Sequence, residues 1–422
     1  MTQLSRTIRQ GTLAIALALL STVPILPAQN LNVTERLAKA VKSGNTKDVF
    51  STLHDLGQNA KRHSAAVRDR RGQTTPESKC SSGGHCPQIV TIDYPGAVLT
   101  LLSAINDAGE IIGYYLDTAN TVRSFIREPD GTYVTVEPQG AGTGPGTGAI
   151  IWSINEQGDV TGGFADSPTS GHAYVRTRQG KYTQIDVGAP GDITVGLDIN
   201  AEDTVAGQYI DSAGLARGYL RFRNGTVETF SVPGAGGTGC SDHSCGTVVT
   251  TIDGLNPEND VVGGYFDDAN VLHGLLRYRG GNIVVFDVDN VGAFPLQGTS
   301  PSGINQRLEI PGFYVDRNGV NHAFIRSADG SIETFDVTGA GNGSGQGTFA
   351  NNINREGDIV GYYVDATGAS FGFLRSHVDG RIQTFGIPDA SIVFPNYNNT
   401  TNAIVGYYAD ANNILHGFLR TP

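Results

Sequence analysis

The chain has 422 residues, a formal net charge of −12 and 17% charged residues. That acidic balance excludes a nucleic-acid surface, whose affinity rests on Lys and Arg, and no basic run interrupts the repeated region described below. The 57 glycines, about twice the usual share, point to many tight turns between short strands.

Residues 1–28 read as a cleaved signal peptide: Arg6 and Arg9 form a positive start, "GTLAIALALLSTVPIL" is apolar, and "LPA" precedes Gln29. The apolar run is short for a membrane span and is broken by Pro24. An uncleaved anchor is the alternative. No later segment is apolar and long enough to span, so the mature chain is expected to be exported, without a membrane span. Residues 29–79 differ in texture. Leu37, Val41, Val49, Leu53 and Leu56 keep helical spacing, and "GQNAKRHSAAVRDRRGQTTPESK" reads as polar linker. Residues 80–422 form the main domain.

Aligned on one Gly, seven copies of a unit follow one another, at Gly113, Gly162, Gly207, Gly263, Gly312, Gly361 and Gly406, in steps of 49, 45, 56, 49, 49 and 45 residues. Seven residues earlier stands Asn106, Asn155, Asn200, Asn256, Asn305, Asn354 or Asn399. Four residues later stands Asp117, Asp166, Asp211, Asp267, Asp316, Asp365 or Asp410; fourteen later stands Arg127, Arg176, Arg221, Arg277, Arg326, Arg375 or Arg420. A period in this range means a solenoid, propeller or array. Each unit reads as four short strands joined by turns rich in Gly and Asp. In the sixth, Ile359, Gly361, Tyr363 and Asp365 share one face, and Val360, Tyr362 and Val364 the other. Apolar residues on both faces mean that both are covered. The last unit stops at "HGFLRTP" without a fourth strand, and "QIVTIDYPGA" near the start matches the missing piece. An open solenoid has no reason to split a unit in this way. The reading is therefore an all-β, seven-bladed β-propeller with four-stranded blades, the last closed by the N-terminal strand at residues 88–93.

"NHAFIR", "GHAYVR" and "LHGFLR", following "IN..G.I.G.Y.D", resemble the HAF-type extracellular repeat of bacterial secreted proteins. The resemblance covers the whole repeated region and implies an exported bacterial protein; it implies no reaction.

If second and third strands pair so that offsets from the Gly sum to fourteen, the repeated Asp faces offset ten (Arg123, His172, Arg217, His273, His322, Phe371, His416) and Arg lies over the bare Gly. The aromatic two after the Gly then faces offset twelve (Phe125, Tyr174, Tyr219, Leu275, Phe324, Phe373, Phe418). An Asp–His pair serves general-base chemistry or metal ligation. Seven equal copies, however, make no single special place, and Arg ligates no metal. The repeated Asp and Arg residues are read as structural.

Function is expected where the copies differ, on the connectors from a fourth strand to the next first strand: "QGAGTGPGTG", "GAGGTGCSDHSCG", "VDNVGAFPLQG" and "GAGNGSGQG". Around that face, Trp152 and the non-repeated Asp186, Asp192, Asp242, His243, Asp289 and Asp389 are the ligand-binding candidates. Export favours the disulfides Cys80–Cys86 and Cys240–Cys245; cross-pairing or a zinc site made by the four thiolates are alternatives. H-E-x-x-H and calcium-loop motifs are absent. No catalytic residue, metal or cofactor is assigned. The expectation is a monomeric extracellular or periplasmic binding module for a glycan or an extracellular protein, catalysis being uncertain. The alternatives are a carbohydrate-active hydrolase or lyase with acidic residues at the pore mouth, and a passive envelope protein.

Overall fold

The computed structural model describes residues 87–144, 147–167, 170–211, 215–232, 250–269, 271–294 and 297–422. The signal peptide, the 29–79 segment, all four cysteines, Asp242 and His243 lie outside the described residues. Among those described, the chain is all strand and turn.

A lone strand, β1 (Gln88–Ile92), comes first. Unit 1 then comprises β2 (Leu99–Ile105), β3 (Ile111–Leu116), β4 (Val122–Arg127) and β5 (Tyr133–Val136). Units 2 to 6 repeat the pattern as β6–β9 (148–185), β10–β13 (193–230), β14–β17 (250–286), β18–β21 (298–335) and β22–β25 (347–385). Unit 7 has only β26–β28 (392–421) of its own. In every unit the strands pair antiparallel in chain order, and β1 pairs β28 as the fourth strand of unit 7, Gln88 opposite Thr421 and Ile92 opposite Gly417. The split unit read from the sequence is therefore completed across the two ends of the described chain.

The first strands β22, β26, β2, β6, β10 and β14 lie side by side in that order, whereas fourth strands pack chiefly on the third strand of their own unit. First strands are thus innermost and fourth strands outermost. The apolar core sits between units. Ile112, Ile126 and Val136 of unit 1 pack with Ile151 and Ile154 of unit 2; Val360, Leu374 and Phe385 of unit 6 pack with Val393, Ile404 and Phe418 of unit 7. Ile92, Leu102, Ile105 and Phe125 meet Ala403 and Val405 in the same way, joining unit 7 to unit 1. Each fully buried Ile or Phe contributes about 1.5–3 kcal/mol relative to exposure, and no unit can bury its faces alone.

The register of the middle hairpin differs from the sequence expectation by two residues. Gly113 faces Phe125, Gly361 faces Phe373 and Gly406 faces Phe418, so paired offsets sum to twelve. The reason lies in the Asp. Its carboxylate caps the turn instead of standing in the ladder: Asp117 Oδ1 accepts the N–H groups of Ala119 and Thr121 at 2.8 and 2.9 Å. Asp117 thereby leaves the second strand, Val122 joins the third opposite Leu116, and the shift leaves every side chain on its expected face. The Gly is required because a Cβ at Gly361 would run into the Phe349 carbonyl and the Phe373 ring.

The repeated Asn does for the turn between first and second strands what Asp does for the next one. In all seven units its Oδ1 accepts the N–H four residues on, as in Asn354 to Asp358 at 2.9 Å. Its Nδ2 is then free to reach the next unit. Asn106 donates to the Asn155 carbonyl, Asn155 to Asn200, Asn200 to Asn256, Asn354 to Asn399, and Asn399 to Asn106, at 2.9–3.2 Å.

Candidate functional site

The offset-ten residue is held from two sides. Arg123 and Arg217 pair with the turn Asp117 and Asp211 through Nε at 3.2 Å. His172, His273, His322 and His416 place Nε2 3.4–3.8 Å from Asp166, Asp267, Asp316 and Asp410. The other ring nitrogen, Nδ1, bonds a second carboxylate just beyond the fourth strand: Asp186 at 2.6 Å, and Asp287, Asp336 and Asp93 at 2.8 Å. Arg123 uses Glu137 in the same role. The ring at offset two lies on each imidazole, with centroids at 5.1–5.2 Å. In unit 6 both polar partners are replaced together, and Phe371 stacks on Tyr363 while Gly386 stands at the second carboxylate's place. The second carboxylate is repeated too, and Asp186, a ligand candidate from the sequence, belongs to it.

These pairs set the protonation of two rings. Burial of the His273 ring works against protonation, but the hydrogen bonds and charges of Asp287 and Asp267 outweigh it and raise its pKa. The Asp336 hydrogen bond, with the charges of Asp336 and Asp316, raises that of His322 against the opposing effect of burial.

The repeated Arg does not lie over the Gly. In units 4 to 7 its guanidinium sits on the fourth-strand aromatic of the preceding unit: Arg277 on Phe230, Arg326 on Phe286, Arg375 on Phe335 and Arg420 on Phe385, at 5.0–5.1 Å. Arg176 instead covers Tyr182 of its own unit at 5.9 Å. The Arg is an outer clamp between units, and the repeated polar residues are committed to the architecture.

The remaining candidates do not converge. Asp192 accepts the Ala189 N–H at 2.8 Å within its own connector. Asp289 and Asp389 are exposed on connectors two units apart, Asp389 with φ +62°. Phe294, which the sequence did not single out, is 66% exposed on the connector between units 4 and 5. Val98 and Ile414, 47% and 43% exposed, lie on the same side of the units, at the connectors leading into β2 and β28.

Trp152 lies on a first strand, as expected, in β6 (Gly148–Ile154). It occupies a position that the alignment did not flag. Six of the seven first strands carry a β-bulge there, and the skipped residues are Ser103, Trp152, Leu197, Asp253, Asn351 and Asn396; Ser302 holds the equivalent place in unit 5. Such bulges re-aim side chains. Ser103, Ser302, Asn351 and Asn396 each donate to a carbonyl of the following unit, at 2.6–3.0 Å. One residue further on, Asp198 accepts Ser153 Oγ at 2.6 Å and the N–H groups of Ile199 and Leu255 at 2.9 and 2.8 Å, tying units 2, 3 and 4 together. Burial pushes the Asp198 pKa upward against those hydrogen bonds. Tyr397 of unit 7 is close enough for its pKa to be raised by burial and then by the charges of Asp198, Glu156 and Asp107. Glu156 is itself raised by burial, with the charges of Asp107 and Glu110 acting in the same direction. Acidic groups therefore gather at the end of the first strands opposite to the one that the sequence favoured. Among the described residues, no group of three His, Cys, Asp or Glu side chains is arranged to hold a metal ion.

No protein-family model matches the chain, and no curated protein matches it. Among solved structures it is similar to a catalytically inactive virginiamycin B lyase from Staphylococcus aureus with quinupristin, at TM-score 0.50 and 12% identity over 79% of this chain and 99% of the other. A selenomethionine-substituted virginiamycin B lyase from the same organism gives 0.50, 13%, 80% and 99%. A lectin from Burkholderia pseudomallei follows at 0.49, 9%, 78% and 99%. At these identities the likeness is one of fold. The fold is β-propeller-like. Among the described residues no helix is long and apolar enough to cross a membrane.

Proposed function

We propose that the chain is an exported, closed seven-bladed propeller of HAF-type repeats that acts as a binding module, taking a glycan or an extracellular protein on the face formed by the fourth-to-first-strand connectors. The observation that carries this reading is Phe294. It is a large aromatic side chain, 66% exposed on a connector, in a molecule whose repeated His, Asp and Arg side chains are spent on internal pairs. Aromatic side chains exposed beside polar loops are the usual anchors of recognition surfaces. Removal of residues 1–28 and disulfides at Cys80–Cys86 and Cys240–Cys245 belong to the same proposal, because export supplies the oxidising compartment.

A second reading, a hydrolase or lyase, draws on the acidic groups Asp107, Glu156 and Asp198 around Tyr397. Glu156 of unit 2 and Asp198 of unit 3 are both raised by burial, and perturbed carboxylates contributed by different units are what such chemistry requires.

The test is a screen of the mature protein against glycan and polysaccharide arrays, each hit being assayed for product release. Binding without turnover, weakened about tenfold or more by Phe294→Ala, is the expected result. Turnover abolished by Glu156→Gln and untouched by Phe294→Ala overturns it in favour of the second reading.

A further inference from the structure

The inner bulge position separates the units into two groups. In units 1, 5, 6 and 7 its side chain is spent on the next unit's backbone. Units 2, 3 and 4, which are consecutive, place Trp152, Leu197 and Asp253 there instead. Leu197 packs into an apolar cluster with Ile252 and Leu255. Trp152 sets its ring edge-on to Tyr114, with centroids 6.1 Å apart, and its Nε1 is buried without a hydrogen-bond partner. Asp253, on β14 (Thr250–Leu255), receives one side-chain donor, Thr251 Oγ1 at 2.9 Å. Solvent reaches the Asp253 side chain, and among the described residues it forms no ion pair.

Other enclosed carboxylates are better served. Asp198 takes three donors, Asp260 takes Asn256 Nδ2 and the Arg279 N–H, and Glu110 takes Asn106 and the guanidinium of Arg178. A carboxylate that lacks a counter-charge and stands among protein walls gains from a cation brought beside it. The two unusual residues are also neighbours in the architecture. Ser153, next to Trp152, and Leu255, two residues after Asp253, bond the same Asp198 carboxylate.

We propose that the inner arc of units 2 to 4 is a binding site for a small organic ammonium ion, with Asp253 as its counter-ion and the Trp152–Tyr114 pair as its apolar wall. Carboxylate and aromatic rings together select a cation over its neutral isostere. The site rests on the propeller reading, since only there do the first strands line an axial channel. It does not depend on the connector face.

Trp152 is the only tryptophan of the chain, so its fluorescence reports the site directly. Benzylammonium chloride and the neutral benzyl alcohol are titrated into the full chain at neutral pH, with calorimetry as a second readout. The expected result is saturable binding of benzylammonium at least about tenfold tighter than benzyl alcohol, the factor that about 1.4 kcal/mol of charge recognition produces. Asp253→Asn removes that preference and leaves benzyl alcohol unchanged, whereas Asp289→Asn on the connector changes neither. Absence of saturable benzylammonium binding in the wild type overturns the proposal, as does equal affinity for the two probes. The wild-type comparison stands even if the Asn variant fails to fold. Because Phe294→Ala is expected to leave benzylammonium binding intact, this site and the connector face fail or succeed separately.

Discussion

Two joints between units invite comparison: the one from unit 7 to unit 1, where β26–β28 meet strands from the other end of the chain and only β1 is joined to unit 1 by the backbone, and the one from unit 4 to unit 5, which the chain bridges directly. The first carries Asn396 to the Leu102 carbonyl at 2.7 Å, Asn399 to the Asn106 carbonyl at 3.2 Å, and the Thr400 N–H and hydroxyl to Asp107 at 2.8 and 2.6 Å. Within unit 7 the β1–β28 ladder adds a second long-range tie between the two ends of the described chain. The second has neither inner bond. Asn256 turns its amide to Asp260 within its own unit at 3.0 Å, and Asp253 has no donor to offer. What holds that joint is close backbone approach: Gly254 and Gly303 face each other so closely that a Cβ on Gly254 would sit 3.1 Å from the Gly303 Cα. The difference follows from loop-closure entropy. A joint between residues 293 apart in the chain must recover a larger ordering cost than one between neighbours. Where covalent continuity already brings two units together, the inner residues are released for another purpose.

Deleting residues 1–92 should have the largest effect, because it strips β1 from unit 7 and exposes both an unpaired strand edge and the cluster around Ile92. Loss of cooperative thermal unfolding, or aggregation, is expected on melting. Asn399→Ala comes next. It removes the bond to unit 1 and leaves the N–H groups of Thr401 and Ala403 without their acceptor, for an expected loss of about 2–3 kcal/mol in denaturant titrations. Asn256→Ala removes only contacts within its own turn, plus the burial they protect, and should cost about 1 kcal/mol. Equal losses for the two Asn variants would remove the distinction between the joints. Gly254→Ala should cost about 1–2 kcal/mol by prising units 4 and 5 apart.

The smallest effect concerns pH and compares unit 5 with unit 6. The folded-state pKa of His322 is raised by Asp336 and Asp316. Its stabilising contribution is therefore complete below the unfolded value of about 6.5 and is lost as pH rises through the folded value. The side chains are partly exposed, so a few tenths of a kcal/mol is expected. Unit 6 already has Phe371 and Gly386 at the histidine and second-carboxylate places and keeps only the turn Asp365. Copying it into unit 5, as His322→Phe with Asp336→Gly, should flatten the part of the stability–pH curve that lies above the unfolded histidine pKa.

The repeat, the four-strand unit and the split last unit were legible because each rests on residue types at fixed spacing. Asn, Gly, Asp and Arg have to recur wherever the same turn, close approach or clamp recurs. The register was misjudged because spacing alone does not tell a strand Asp from one that caps a turn. Asp117 belongs to the turn, so the third strand pairs from Val122, opposite Leu116, and not from Arg123 opposite Asp117. The second carboxylate set was hidden for a different reason. Its member for unit 7 is Asp93, at the other end of the domain from His416, and the pairing of β1 with β28 brings the two together. Asp253 left no trace in the alignment, since its position holds Ser, Trp, Leu, Asp or Asn and acquires meaning only from the carbonyl that the next unit presents. Phe294 was passed over because one aromatic in a Gly-rich connector has no pattern to stand out from.

The central claim, a ring closed through its two ends, is tested most directly by native-state hydrogen exchange on β28 (Leu415–Thr421). A closed ring predicts that the β28 amides bonded to β1 exchange only through global opening, as slowly as those pairing β3 with β4. Exchange of the β28 amides at the faster rate of a fraying terminal unit, with unit 1 still protected, would contradict closure and leave an open array.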